Sequence, residues 1–352
     1  MRRLVAAGGP VYNPAGKGAP VAEAKRLLVL TRDRENASFR QRIAPYLGPL
    51  YERGIAAEVV ELATSAWARR RQWRAAREFD GVLLQRKTLT AWDAWALGPS
   101  PRLIYDFDDA VMYQARAPAQ PNPTRLRRFE RTAARAHLVM AGSPYLARYA
   151  DAVGARRAEV VPTGLDVARF PPKTDYASSG PPRLVWIGSA STLKQLEPLR
   201  ATFEALGRAM PDLALRIIAD APLEVAGLQV ENVPWSLEAE GRLLAESDIG
   251  IAPLPDTPYT RGKCGFKVLQ YMAAGLPVVT SPVGVNADYV RHDATGLWAK
   301  TTEEWLEAVR HLAGDARLRQ RMGAAGRRRV EVEFAFQALA PKVVDLVARA
   351  LA

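Results

Sequence analysis

The sequence predicts an α/β protein of two doubly wound domains facing each other across a cleft. Three observations carry the prediction. The length, 352 residues, exceeds what one hydrophobic core ordinarily organises. Short apolar runs alternate with longer helical patterns, as in a parallel sheet covered on both faces. One break interrupts the alternation, which then restarts.

The first set of strands is expected at RLLVL (26–30), AEVVEL (57–62), GVLLQ (81–85), RLIYD (102–106), HLVMAGS (137–143) and AEVVPTG (158–164). Residues 171–182, PPKTDYASSGPP, are rich in proline, glycine and small polar residues and read as an exposed hinge. The second set follows at RLVWIG, ALRIIAD, QVENV, DIGIAPL, PVVTS and GLWAK, with helical stretches such as LEPLRATFEALGRAM between. Domains are thus expected at 25–172 and 183–335. The last segment, FQALAPKVVDLVARALA (336–352), forms an amphipathic helix crossing back onto the first domain. Residues 1–24 carry no strand pattern and read as a mobile extension.

Composition narrows the function. An apolar fraction of 48% and charged residues at 24% belong to a folded globular chain. The opening MRRLVAAGGPVYNPAG is too short in apolar residues for a secretory signal, and no apolar run is long enough to span a bilayer. A cytoplasmic location is therefore expected, with a peripheral place at the inner membrane face as its extension. The single cysteine, Cys264, excludes an internal disulfide, and widely spaced His137, His292 and His311 cannot complete a zinc site with it. A net charge of +12 attracts anions. Nucleic acid is a poor fit, since no recognised binding module accompanies the charge.

The segment KCGFKVLQYMAAGLPVV (263–279) concentrates the chemistry. Only nine of the 49 basic residues are lysines, yet Lys263 and Lys267 flank one helix start. Gly265 permits close backbone approach there, and Phe266, Leu269 and Met272 repeat at helical spacing to give a buried face. Free amides and the dipole at such a start attract an anion, to which two ammonium groups would add. Gln270 is placed to bond hydroxyls. A second stretch, WIGSASTLKQL (186–196), runs a strand into Gly188 and a turn of Ser189 to Thr192, where backbone amides and hydroxyls can receive a phosphate. A third, RLIYDFDDAVM (102–112), places Asp106, Asp108 and Asp109 at the carboxyl end of a strand, with Asp109 a candidate helix cap. Trp235 could flank a nucleotide base, Glu240 and Asp248 precede a buried strand, and Ser38, Arg40 and Arg42 open a helix after the first strand.

GFKVLQYMAAGLPVVTSPVGVNADYV (265–290), with the tail GLWAKTTEEWLEAVRHLAGDARLRQRMGAAGRRRVEVEF, resembles the family 4 glycosyltransferases of the GT-B fold, which join two Rossmann-like domains. The resemblance runs from about residue 26 to 345 and is dense from 240 to 335. It implies a retaining, metal-independent transferase that moves a sugar from a nucleoside-diphosphate sugar to a glycan, lipid-linked or small-molecule acceptor. No cofactor is implied beyond that donor substrate. Lys194 takes the family's lysine spacing after the glycine turn and is the best candidate, with Lys263 and Lys267, for holding the diphosphate. The family's arginine position is Ser189 here, and its two glutamates fall on Gly262 and Gln270. In the YDxHD pattern Asp108 stands at the histidine, so a carboxylate would take over that contact to the reacting sugar. A non-catalytic glycan- or partner-binding scaffold and a sugar-nucleotide epimerase are the alternatives. WARRRQWRAAREF (67–79) and RLRRFERTAARA (125–136) mix arginines with Trp67, Trp73 and Phe129, so an anionic membrane surface is a further candidate partner.

Overall fold

A computed structural model describes residues 24–99, 102–177 and 182–352. The extension expected at 1–24 thus lies, except for Ala24, outside the described residues, as does the 178–181 part of the expected hinge. All twelve expected strands form. They are β1 Lys25–Thr31, β2 Ile55–Glu61, β3 Gly81–Gln85, β4 Arg102–Phe107, β5 Leu138–Ala141 and β6 Ala158–Val160, then β7 Arg183–Ile187, β8 Ala214–Ile218, β9 Gln229–Val233, β10 Ile249–Ala252, β11 Val278–Thr280 and β12 Gly296–Trp298. They build two parallel six-stranded sheets, one in each of two compact units.

The first unit holds the described residues up to Gly164 together with Gly262–Cys264 and Phe336–Ala352. Its sheet runs β2-β1-β3-β4-β5-β6. Strand β1 is therefore an inner strand, and Leu27 to Leu30 are all buried, as expected where helices cover both faces. The C-terminal helix Phe336–Leu351 presents Leu339, Val343, Leu346, Val347 and Leu351 to a core that includes Tyr46, Leu83 and Ile104.

The second unit, Leu165–Arg261 with Gly265–Ala335, has the order β12-β11-β10-β7-β8-β9. Alternation along β7 sends Leu184 and Trp186 into one core with Phe203 and Trp305, and Val185 and Ile187 into another with Val268 and Met272.

The boundary expected at 172 moves back to Gly164. Leu165 and Phe170 belong to the second unit's core, beside Leu243 and Val330. The described part of the expected hinge, 171–177, is exposed at most positions and anchored at two, Lys173 and Tyr176. The Lys173 ammonium lies 3.2 Å from Asp248 and its N–H donates to Ala274 at 2.9 Å, while the Tyr176 hydroxyl donates to the Gly275 carbonyl at 2.7 Å. Arg319 donates to the Tyr176 carbonyl at 2.6 Å. One basic and one aromatic residue thus tie this stretch to the second unit.

Candidate functional site

In the second unit the chain crosses from one side of β7 to the other when it leaves β9 for β10, so the topological switch point lies between β7 and β10. Open α/β sheets bind ligands outside the strand ends at such a point. Here the two strands pair only at Leu184 with Ile249 and Val185 with Gly250. Beyond those residues the Tyr271 hydroxyl stands between the strands. It accepts from the Ile187 N–H at 3.0 Å and donates to the Ile251 carbonyl at 3.2 Å. Gly250 has no side chain because a Cβ there would enter the Tyr271 ring. Burial raises the Tyr271 phenol well above its ordinary range, so it remains a donor at every physiological pH.

Tyr271 belongs to helix Phe266–Ala273, which it fastens to the switch point. The helix starts at Gly265, whose φ of 60° is left-handed, and a Cβ there would lie 2.9 Å from Val285 and 3.0 Å from Tyr289. Phe266 packs half-buried against the core. One residue further on, the Lys267 ammonium sits 3.9 Å from the centre of the Trp186 ring, a cation–π seat on a fully buried indole. Gly188 closes against the same indole: a Cβ would come within 2.5 Å of its ring and 2.7 Å of the Thr192 hydroxyl. Trp186 thus fixes both the glycine turn after β7 and the lysine at the helix start.

Ser189 follows at the cap position of the short helix Ala190–Leu193, but its hydroxyl pairs with those of Ser191 and Thr192 at 2.9 and 3.3 Å rather than capping. Lys194 is exposed. It lines an open cavity of about 480 Å³ with Glu197, Arg200, Leu223 and Glu224, where Arg200 pairs with Glu197 at 3.1 Å. Its surroundings mix both signs of charge.

Gln270 is 4% exposed, and its amide donates to Glu240 at 3.2 Å. The same carboxylate accepts from the Trp235 indole at 2.9 Å and from Arg169 at 2.9 Å. The hydroxyl-binding and base-flanking roles expected of Gln270 and Trp235 thus compete with bonds to one buried carboxylate. Asp248 pairs with Lys173 and also accepts from the Arg183 N–H at 2.9 Å.

Lys263 departs from expectation. Gly262–Cys264 belong to the first unit, and the Lys263 ammonium lies 3.0 Å from Asp109. No helix starts at Asp109; the chain turns through the following residues, and Asn122 caps the next helix, Pro123–Arg135. Asp109 instead pairs with Lys263 and, at 2.7 Å, with Arg86. Asp106 is buried with Arg42, the guanidinium contacting it at 2.6 Å. Burial pushes the Asp106 carboxyl up against the pull of Arg42. Arg42 also donates to the Val161 carbonyl at 2.8 Å, and Ser38 is buried beside Gln85. These two residues support the fold from within, which an opening helix turn in the sequence did not reveal. Arg40 lies half-buried on the same helix.

Asp108 lies 3.3 Å from the Arg86 Nε, yet its Oδ1 makes no hydrogen bond among the described residues. The Cys264 thiol donates to the Asp108 carbonyl at 2.8 Å, and burial pushes that thiol far above its ordinary range. Arg86 itself escaped the sequence reading. It directly follows β3, holds a φ of 55° that side chains seldom adopt, and bridges two aspartates. Its place at a strand's carboxyl end was the available clue. Among the described residues no cluster of three or more acidic, histidine or cysteine side chains could hold a metal ion.

Of the two basic stretches, Trp73 and Phe129 are fully buried and belong to the core, while Trp67 is exposed. Helix Pro123–Arg135 therefore shows no large aromatic side chain to solvent.

Residues 181–315 match the family model described as glycosyl transferases group 1. A D-inositol 3-phosphate glycosyltransferase from Nocardia farcinica is 28% identical over 190 residues, which are 47% of this chain and 42% of that protein. A GDP-mannose-dependent alpha-(1-6)-phosphatidylinositol dimannoside mannosyltransferase from Mycobacterium tuberculosis is 26% identical over 229 residues, 61% of this chain and 58% of that one. The matched stretch thus spans less than half of the first relative and little more than half of the second. Among solved structures, a sucrose-phosphate synthase from Thermosynechococcus elongatus superposes with a TM-score of 0.73 at 16% identity, covering 92% of this chain and 98% of the other. HepE from Anabaena, solved with UDP and glucose, gives 0.69 at 15% identity over 92% and 100%. The architecture is that of the GT-B fold.

Proposed function

From the match of residues 181–315 to the group 1 glycosyl transferase model, we propose a transferase that moves a sugar from a nucleoside-diphosphate sugar to a glycan, lipid-linked or small-molecule acceptor. Transfer retains the donor's anomeric configuration and requires no metal ion. One observation carries the reading: at the second unit's switch point an ammonium, Lys267, is held on a buried indole beside the glycine turn after β7.

Glycosyl transfer breaks the bond from the anomeric carbon to the diphosphate oxygen, leaving an oxocarbenium-like centre while negative charge gathers on the departing diphosphate. A fixed cation beside that oxygen stabilises the transition state more than the ground state. Lys267 fills this role, and Gly188 with the Ser189 turn receives the phosphates. Lys194, six residues after Gly188, is the second diphosphate ligand. Metal independence is supported by these cations and by the pairing of Asp106, Asp108 and Asp109 with Arg42, Arg86 and Lys263. The acceptor's proton can pass to the departing phosphate oxygen, so no paired-carboxylate base is needed. Asp108, directly after β4 at its carboxyl end, is the candidate contact to the reacting sugar in the first unit.

The test is incubation with UDP-, GDP- and ADP-sugars, with and without acceptors, following the anomeric proton of the product by NMR. A retained anomer from one donor is expected, with turnover about a hundredfold lower in Lys267→Ala. No transfer or hydrolysis from any donor would leave a binding scaffold, and an inverted anomer would refute retention.

A further inference from the structure

Five large apolar side chains are exposed among the described residues, and three of them, Trp67 (72%), Trp92 (44%) and Trp95 (59%), form one patch on the first unit. Trp67 lies on helix Ala66–Ala75, and Trp92 and Trp95 lie on helix Ala91–Leu97. The last two stack with ring centres 4.9 Å apart. The Arg70 guanidinium sits over all three rings, at 5.8, 5.5 and 5.0 Å. Helical spacing places Trp67, Arg70, Arg71 and Arg74 on one stripe, to one side of the buried Trp73. Helix Ala66–Ala75 carries no acidic residue, and the one acid of the second helix, Asp93, is buried against Arg69 and Trp73.

Indoles and guanidinium groups together suit either a sugar platform or a lipid interface. A sugar platform needs a free ring face and planar polar groups for hydroxyls. Here Trp92 and Trp95 stack on each other and Arg70 sits over all three rings. The one amide nearby, Gln72, is bound at both ends, donating to the Glu61 carbonyl at 2.8 Å and accepting from the Ala63 N–H at 3.0 Å. Indoles beside arginines, with no acid exposed among them, complement the headgroup layer of a negatively charged bilayer.

We propose that the face of Trp67, Trp92, Trp95 and Arg70, Arg71, Arg74 docks on a bilayer bearing anionic headgroups. No described helix is long and apolar enough to cross a membrane, so the attachment lies on the surface. Both helices follow strands of the parallel sheet, β2 and β3, so Trp67 and Trp92, in their first turns, stand on the carboxyl-end side where Arg86 and Asp108 also lie. A lipid-borne acceptor would then be presented on that side. The docking itself is independent of the transferase reading, because it does not involve the switch-point residues.

The experiment is cosedimentation of the whole chain with phosphatidylcholine vesicles, with and without phosphatidylglycerol, combined with quenching of tryptophan fluorescence by brominated lipid. Binding only to the anionic vesicles, with quenching, is expected. Arg71→Gln and Arg74→Gln should each weaken it roughly fivefold, and Trp67→Ser, Trp92→Ser and Trp95→Ser combined should abolish quenching while circular dichroism stays unchanged. These positions are exposed, so nucleotide-sugar turnover should also persist. Absence of binding to anionic vesicles by the unaltered chain would overturn the proposal. So would binding that these variants do not change, or retardation in polysaccharide gels that the tryptophan variants remove.

Discussion

Replacing Tyr271 by phenylalanine removes one oxygen and keeps the ring that fills the space beside Gly250. The lost hydroxyl bridges the Ile187 N–H and the Ile251 carbonyl, at 3.0 and 3.2 Å, and Ile187 and Ile251 are 3% and 0% exposed. Water therefore cannot take over either bond. Each such bond contributes about 1 kcal/mol net, and leaving a buried donor unmatched costs a further ~1–3 kcal/mol. With two bonds lost, the second unit should thus lose about 3–5 kcal/mol. In urea this appears as a midpoint lowered by roughly 1 M or more at unchanged slope, since slopes of about 1–3 kcal/mol/M are usual. Loosening of β7 should also weaken nucleoside-diphosphate binding, because the Gly188 turn follows directly. A loss below about 0.5 kcal/mol, or a large loss with fully preserved binding, would refute the idea that Tyr271 holds the switch point in shape.

Three other outcomes follow from the same geometry. Asp106→Asn leaves the Arg42 guanidinium buried without its counter-charge, so the first unit should lose about 3–5 kcal/mol in denaturant unfolding; a loss under about 1 kcal/mol would show that solvent reaches the pair. Gly265→Ala forces a left-handed backbone and a crowded Cβ against Tyr289, and should lower stability by about 1–3 kcal/mol. The Cys264 thiol, held neutral by burial, should resist a disulfide reagent at mildly alkaline pH until the protein is unfolded. Its raised value also means that the thiol's contribution to stability is intact below about pH 8.5, the ordinary thiol range, and declines as the pH rises above it; rapid native-state labelling would contradict this.

The strands were legible because each is a short apolar run between turn residues, and that pattern survives whatever the strands pair with. Their order was not legible. The switch between β7 and β10 emerges only when the chain returns across the sheet, so Trp186, Gly250 and Tyr271 read as ordinary core residues. Lys267 and Gly188 could be selected from motif spacing, yet the indole joining them is simply one more apolar residue of β7 in the sequence. Proximity along the chain pairs Lys263 with Lys267, and the sequence does not show that residues 262–264 pack with the first unit, where Lys263 meets Asp109. The sequence places Gln270 to bond hydroxyls and does not show its partner, Glu240, thirty positions earlier.

The most direct measurement is equilibrium titration of UDP, GDP and ADP into the unaltered chain, Lys267→Ala and Gly188→Ala, read calorimetrically. The account predicts that one diphosphate binds and that both substitutions weaken it at least roughly tenfold, as expected when a charge-assisted contact worth about 1.5–3 kcal/mol is lost or displaced. Equal affinity in all three proteins would contradict a diphosphate site at the junction of Trp186, Gly188 and Lys267.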